Sequence, residues 1–162
     1  MKALLILVVG IILLTCLVMT ALSCTARPPK AGLLEGRLRP CPGKPNCICS
    51  EDEKTDAWVE PLTFQGPPAR AWGRLKAALQ EIGGTIQRQN DQYIWATFST
   101  RVFRFVDDVE FRMVTDENTI HVRSASRVGY SDLGLNKRRM ERLRSTFYKA
   151  MNDQNANERG PG

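Results

Sequence analysis

RFVDDVEFRMVTDENTIHVRSASRVGYSDLGLNKRRMER, residues 104–142, is the stretch that decides the fold. Apolar and polar residues alternate with a period of two on both sides of the polar segment 115–118, which is typical of two strands with one buried face each. A four-residue connection between such strands predicts an antiparallel hairpin. Beyond the hairpin, the glycine-bounded loop 129–134 leads into a helix rich in Lys and Arg.

The length of the connection fixes which residues of the predicted hairpin face each other. The expected pairs are Val114 with Thr119, Met113 with Ile120, Phe111 with Val122, Arg112 with His121, and Glu110 with Arg123. Asp108 belongs to the same polar face as Glu110 and lies one diagonal step from both Arg123 and Arg127. Opposite charges therefore meet along this face of the hairpin.

The apolar face of the hairpin also turns polar at one end, where the register places Asp107 against Ser126. Asn136 is the predicted N-cap of the last helix, because Asn is favoured at that position. An unpaired buried polar group costs about 1–3 kcal/mol, so these side chains need partners. We call the following set the polar centre: Asp107, Asp108, Glu110, Arg123, Ser126, Arg127, Asp132 and Asn136.

The polar centre admits three interpretations. In a non-catalytic binding module, Arg123 and Arg127 hold a carboxylate or phosphate, together with backbone N–H groups at the start of the last helix. In a hydrolase, Asp107, Asp108 and Glu110 supply acid and base while the two arginines bind an anionic substrate. In a structural network, the side chains satisfy one another and fix the loop before the last helix.

The sequence favours a non-catalytic binding or structural domain over an enzyme. No Ser/His/Asp or Cys/His order suggests itself, and no phosphate loop or nucleotide fingerprint is present. We therefore expect no cofactor, no metal and no nucleic-acid partner.

Three stretches resemble the domain of unknown function 1499 family: RPCPGKPNCICS (39–50), FVDDVEFR (105–112) and RSASRVGYSDLGLNKRRMERLR (123–144). The third stretch is long and specific, and the resemblance covers nearly everything after residue 38. The family is similar in being mostly bacterial and often secreted or lipid-anchored, with relatives in plastids. The resemblance implies an exported domain and brings no established activity with it.

Residues 3–23 contain no charged side chain and are dominated by Leu, Ile and Val, which is long enough to span a bilayer. The run ends in ALSC, and small residues before Cys24 resemble a bacterial lipobox, so Cys24 is the expected lipidation site. Cys16 is a poorer candidate because a threonine precedes it. Residues 1–23 are thus predicted to be a lipoprotein signal, with an uncleaved membrane anchor or plain secretion as alternatives.

The next residues, 24–40, contain Pro and Gly without periodicity and are typical of a tether. Cys41 and Cys47 then flank a Pro/Gly-rich turn, and disulfides persist in exported compartments. We predict a Cys41–Cys47 bridge and leave Cys49 as an accessible free thiol or as a competing partner for Cys47. The three cysteines also raise the possibility of zinc, although a fourth ligand is missing nearby.

Residues 41–151 are expected to form one globular domain, followed by a disordered tail over 152–162 that is rich in Asn, Gln, Gly and Pro. A helix is predicted over 67–82, ended by two glycines, with strands over 85–89 and 92–100. The order helix, four strands, helix predicts an α+β two-layer sandwich. Its four-stranded antiparallel meander carries both helices on one face, and the aromatic arm before the first helix is expected to cover the other.

The chain carries a formal net charge of +6 at pH 7. A basic exported domain is typical of proteins with anionic neighbours, although interspersed acidic residues also fit an ordinary solvated surface. The expected partners are membrane lipid through the N-terminal anchor, and either an anionic ligand or an envelope protein. The expected location is the cell envelope, with the domain anchored to the membrane on its exported side.

Overall fold

A computed structural model of the chain describes residues 1–26, 31–100 and 103–158. Within these ranges it contains three helices and one antiparallel sheet of six strands. In chain order these are α1 (Lys2–Thr25), β1 (Cys47–Cys49), β2 (Leu62–Thr63), α2 (Pro68–Glu81), β3 (Thr85–Gln89), β4 (Tyr93–Ser99), β5 (Val106–Val114), β6 (Thr119–Ser126) and α3 (Leu135–Glu158).

The strands follow the order β1-β6-β5-β4-β3, and β2 also pairs with β6. The α+β class and the meander from β3 to β6 are therefore confirmed. The expected count of four strands is wrong, because β1 and β2 extend the sheet beyond β6. Strands of three and two residues are too short for a periodic pattern to show in the sequence.

The predicted register of the β5–β6 hairpin is confirmed along its whole length. Val114 pairs with Thr119 at the loop, and Glu110 pairs with Arg123 further along. A four-residue loop and the alternation of apolar side chains are enough to set this register, because a slip by one residue would turn every side chain to the opposite face.

Helices α2 and α3 pack on one face of the sheet and form the main core with it. Leu75 of α2 and Leu143 of α3 are fully buried against strand residues such as Phe111. After α2 the chain passes close to β4, where a Cβ on Gly84 would lie 2.7 Å from the Phe98 ring. The predicted helix and its glycine-rich end are thus confirmed.

The opposite face, which we call the outer face, is not covered as expected. The predicted aromatic arm instead sends Leu62 and Phe64 into the core on the helix side. The outer face is covered by Leu38, which packs with Tyr93 and Cys49. We call residues 31–40 the strap. This cover escaped prediction because the leucines of the strap follow no helical or strand period in a segment that also contains Gly and Pro.

The terminal segments bear on the predicted domain boundaries. α1 is long and apolar enough over Lys2–Ser23 to cross a membrane, a property that an N-terminal signal sequence shares. Part of the predicted tether is the strap, which contacts the sheet. At the other end the α3 backbone continues to Glu158. Disorder over 152–162 stays a prediction, and its last residues, 159–162, lie outside the described ranges.

Candidate functional site

The residues of the polar centre divide between the two faces of the sheet. Asp107 and its pairing partner Ser126 lie on the face covered by the helices, whereas Asp108, Glu110 and Arg123 lie on the outer face. The polar centre, drawn from one stretch of 30 residues, therefore forms two separate hydrogen-bonded networks, one on each face.

Glu110 is the centre of the outer network. Its Oε2 accepts from Nη1 of Arg123 at 3.1 Å, and its Oε1 accepts from the Tyr93 hydroxyl at 2.5 Å and from the backbone N–H of Gly32 at 2.9 Å. Burial, followed by the hydrogen bond to this carboxylate, raises the pKa of Tyr93. Glu110 thus joins β4, β6 and the strap.

Asp108 forms the second ion pair of the outer face. Its two carboxylate oxygens accept from Nε and Nη2 of Arg127 at 2.7 and 2.8 Å, and one of them also accepts from Nε1 of Trp95 at 2.8 Å. The bidentate hydrogen bond raises the pKa of Arg127. Such a fork geometry is the strongest form of carboxylate–arginine contact. The Asp108–Arg127 pair fixes the start of the segment that leads from β6 to α3.

On the helix face, Asp107 meets an arginine from α3 that the sequence did not suggest as its partner. Nη2 of Arg139 lies 2.5 Å from Oδ2 of Asp107, and the guanidinium stacks 4.8 Å from the centre of the Phe98 ring. Nη1 of the same arginine donates to Oδ1 of Asn136 at 2.8 Å. Arg139 therefore links β4, β5 and α3.

The prediction that Asn136 is the N-cap of the last helix is wrong. Asn136 is a buried residue of the first turn of α3. Its amide donates to Ser126 Oγ at 3.1 Å and to the backbone oxygen of Asn46 at 3.1 Å, while Ser124 Oγ donates to its Oδ1. The capping role belongs to Asp132, whose carboxylate accepts from the N–H of Asn136 at 2.7 Å. An amide with both donors and acceptors suits the interior of this network better than the helix end.

The donors that the binding interpretation reserved for an anion are largely engaged within the chain. Arg127 is bound at two nitrogens by Asp108, and Asp132 already accepts from the N–H groups of Gly134 and Asn136 at the start of α3. Nε of Arg123 is buried and has no hydrogen-bond partner among the described residues. A role of the polar centre in holding an anion stays a prediction.

Three residues that sequence reasoning missed complete these networks. The Glu51 side chain is buried beside Arg112, whose Nε donates to it at 3.1 Å, and it also accepts from the backbone N–H of Leu38 in the strap. Ser50 Oγ lies 3.1 Å from Nδ1 of His121, and burial lowers the pKa of that histidine. The family-like stretch 39–50 and the residue after it were the available signals.

Asn46, the third missed residue, ties the segment before β1 to the loop before α3. It is buried, its Nδ2 donates to the Gly129 oxygen at 2.7 Å, and its backbone oxygen accepts from Asn136 and from the N–H of Ser126. Its position inside the family-like stretch was the signal that could have singled it out.

The predicted disulfide joins Cys41 and Cys47. Cys49 is a free thiol, but the expectation that it is accessible is wrong, because none of its surface is exposed. Burial is the main cause that raises the pKa of this thiol. Bridging Cys41 and Cys47 removes two of the three thiolates that a zinc site would need. The predicted lipidation site, Cys24, lies in the last turn of α1.

An open cavity of about 640 Å³ lies beside the disulfide, between the 41–47 turn, the segment 52–57 and the start of α3. Three exposed lysines contribute to its lining: Lys44, Lys54 and Lys137. Among the described residues no carboxylate forms an ion pair with them, since the pairs that are present all use arginine. Three carboxylates line the cavity as well: Asp52, Asp56 and Asp132. Asp132 turns its carboxylate to the α3 backbone, and Asp52 accepts from the backbone N–H of Cys41 at 3.3 Å.

Comparison with known proteins adds a family and no activity. No curated protein matches the chain in sequence. Residues 37–147 match the family described as "Protein of unknown function (DUF1499)", a match that covers the end of the strap, the whole sheet, α2 and about the first half of α3. The chain therefore belongs to this DUF1499 family.

Proposed function

We propose that the protein is a membrane-anchored, non-catalytic binding domain of the cell envelope that takes an anionic ligand in the cavity beside its disulfide. The observation that supports this proposal is a difference in ion pairing between two groups of charged side chains. The carboxylates that could serve as acid and base are each paired with an arginine, whereas the three lysines of the cavity form no ion pair among the described residues, even with Asp52 and Asp56, which line the same cavity.

Anchoring on the exported side is supported by three features of the chain. α1 is apolar over a length that spans a bilayer. It ends in small residues before Cys24, as lipoprotein signals do. The Cys41–Cys47 disulfide suits an oxidising compartment outside the cytoplasm. The anchor is then α1 itself or, after cleavage, lipid attached to Cys24.

Mass spectrometry of the protein purified from membranes tests the anchor. A mature N-terminus at Cys24 with a diacylglyceryl mass is expected, and Cys24→Ser should leave an uncleaved chain. An intact Met1 in the wild type would contradict the lipoprotein hypothesis and favour α1 as an uncleaved transmembrane anchor. Recovery of the wild type from the soluble fraction would contradict any membrane anchoring of the protein.

Ligand binding is supported by the size of the cavity and by lysines that form no ion pair among the described residues. About 640 Å³ lies within the range of small-molecule sites. Lysine ammonium groups attract carboxylates and phosphates as point charges. Lys54 belongs to the segment after β1 and Lys137 to the start of α3, so an anion held by both would bridge these two parts of the chain.

Calorimetric titration of the full chain in detergent with citrate and with inorganic phosphate tests this proposal. Lys54→Ala and Lys137→Ala should each weaken binding of the anion by about tenfold, the loss of one charge-assisted contact worth roughly 1.4 kcal/mol. Lys149→Ala, an exposed lysine of α3 outside the cavity, is the matched control. Equal weakening by all three variants would reveal a general charge effect and overturn the site.

The polar centre is the second candidate for an anion, supported by the unpartnered Nε of Arg123. Arg123→Lys in the same titration distinguishes the two locations, since it removes that donor and leaves the cavity lysines in place. The hydrolase alternative draws less support, because Asp107, Asp108 and Glu110 already serve as ion-pair partners. Hydrolysis of a phosphate or carboxylate ester that is lost in Asp108→Asn would favour it.

A further inference from the structure

Two loops that are distant in sequence lie at the same end of the sheet. The β4–β5 connection precedes Val106, which pairs with Ser99, and the loop after β6 begins at Arg127, whose N–H donates to the Val106 oxygen at 3.1 Å. We call the described residues 103–105 and 129–134 the loop end. The β3–β4 and β5–β6 turns lie at the opposite end, because all these strands are antiparallel neighbours.

The loop end is where α1 contacts the domain. The Ser23 hydroxyl donates to the backbone oxygen of Arg104 at 2.6 Å. Ser23 is also the last residue of the segment that could cross a membrane. The loop end therefore lies at the level where the apolar run ends.

The strap limits how far the domain can move from that level. The Ala31 oxygen accepts from Arg88 at 2.9 Å and Gly32 N–H donates to Glu110, so the chain is tied to the sheet again from Ala31 onward. Only residues 26–30 connect this point to the end of α1, and so short a segment reaches at most about 20 Å.

The loop end carries the two most exposed large apolar side chains outside α1 in the described ranges. Leu133 is 84% exposed and Tyr130 is 70% exposed. Leu133 also has φ of 53°, in the left-handed region that branched, bulky residues avoid. No packing among the described residues accounts for a leucine held there in solvent. Beside them in the β4–β5 connection, the rings of Phe103 and Phe105 lie 5.5 Å apart.

The two ends of the sheet also differ in the charge of their exposed side chains. Arg104, Lys137 and Arg138 are exposed at or beside the loop end, where the carboxylate of Asp132 is engaged with backbone N–H groups. The turns at the opposite end expose carboxylates instead: Asp91, Asp116 and Glu117. An anionic surface would attract the first end and repel the second.

We propose that the loop end is a bilayer-contacting surface, on which Tyr130 and Leu133 enter the interfacial layer of an anionic membrane while Arg104 and Arg138 meet lipid phosphates. Aromatic and apolar side chains flanked by basic residues are the composition that binds this layer. The inference rests on the membrane anchoring proposed above; where α1 is cleaved, the lipid on Cys24, the residue next to Ser23, supplies the anchor at this position. It adds an orientation, because the sheet then stands with its hairpin turns away from the membrane and the cavity, which Tyr130 and Lys137 also line, opens beside the lipid headgroups.

Photo-crosslinking in nanodiscs tests this orientation. The full chain carries p-benzoylphenylalanine in place of Leu133, or in place of Glu117 at the opposite end as the matched control. Nanodiscs of phosphatidylcholine with and without phosphatidylglycerol are irradiated, and lipid adducts are identified by mass spectrometry. We expect adducts from position 133, more of them with phosphatidylglycerol, and none from position 117. Equal adducts at the two positions, or none at 133, would overturn the proposal.

Incorporation into the nanodiscs separates this inference from the anchor on which it rests. A wild type that enters nanodiscs but gives no adduct at position 133 overturns the orientation alone, whereas a wild type that stays outside overturns the anchoring and the orientation together. Leu133→Asn supplies a second readout in a residue type that accepts the left-handed region. It should remain folded and incorporated, yet show faster amide exchange over 129–134 than the wild type in anionic nanodiscs; identical exchange would count against the contact.

Discussion

Arg123 and Glu110 face each other across β6 and β5, and their side chains meet on the outer face with 3.1 Å between Nη1 and Oε2. Both side chains are largely withdrawn from water, at 10% and 1% exposure. A pair in this environment stabilises little relative to an apolar replacement, but removal of one partner leaves a buried charge. Stability therefore depends on keeping the two together.

Arg123→Ala should lower the free energy of unfolding by about 3–5 kcal/mol, because Glu110 then stays buried without its counter-ion. Adding Glu110→Gln should recover a substantial part, since the uncompensated charge is gone while an amide can still accept from Tyr93. Urea denaturation of the wild type, both single variants and the double variant measures the coupling. Purely additive effects would contradict a direct interaction between the two side chains.

Asn136→Ala should lower the free energy of unfolding by roughly 2–3 kcal/mol, because Ser124 and the Asn46 carbonyl lose their buried partner. Chemical denaturation measures the loss. Asn136→Asp keeps an acceptor for Ser124 but loses the donors, so it should not restore stability. Full stability in the aspartate variant would show that a simple helix cap, as the sequence suggested, is the true role of this position.

Cys49 should resist alkylation in the folded protein and react once urea unfolds it, because the thiol is buried and its pKa is raised. Peptide mapping after iodoacetamide treatment measures the modification at each cysteine. Reduction of the Cys41–Cys47 bridge alone should cost about 2 kcal/mol. If Cys49 in the folded protein reacted as fast as an exposed thiol, the strap would not shield this residue from solvent.

His121 should make the protein less stable as the pH falls below about 6.5. Its pKa in the folded state is lowered, chiefly by burial, so the unfolded chain binds the proton first. The contribution is thus present above the unfolded pKa and is lost as pH falls through the folded one. Unfolding free energies between pH 7 and pH 5 should fall less steeply in His121→Gln than in the wild type. Parallel curves for the two proteins would argue against a buried, neutral imidazole.

Leu133→Asn should leave stability unchanged or raise it by up to about 1 kcal/mol, because asparagine tolerates the left-handed conformation and the leucine makes no buried contact. Thermal and urea denaturation in detergent measure the change. Leu135→Asn, two residues further on and partly buried in the first turn of α3, is the control that should destabilise. A loss of stability in Leu133→Asn comparable with that control would show that the side chain packs within the domain.

Much of the scaffold followed from local pattern alone. The period of two and the four-residue loop set the β5–β6 register, and with it the Glu110–Arg123 pair. The Pro/Gly turn was enough to predict the Cys41–Cys47 bridge, and the uncharged apolar run was enough to predict α1. Each of these features involves residues that are close along the chain or in a regular repeat, so their geometry is constrained before the chain folds.

Only the tertiary structure decided which partners complete the two networks and where the open surfaces lie. Asp107 takes Arg139 from α3, Asn46 takes Asn136 across 90 residues, and Leu38 covers the outer face from a segment that reads as a tether. The sequence grouped the polar centre as one site, whereas the pleat sends its members to opposite faces of the sheet. Such contacts join single residues far apart in the chain, and no period or spacing encodes which of several similar side chains will meet.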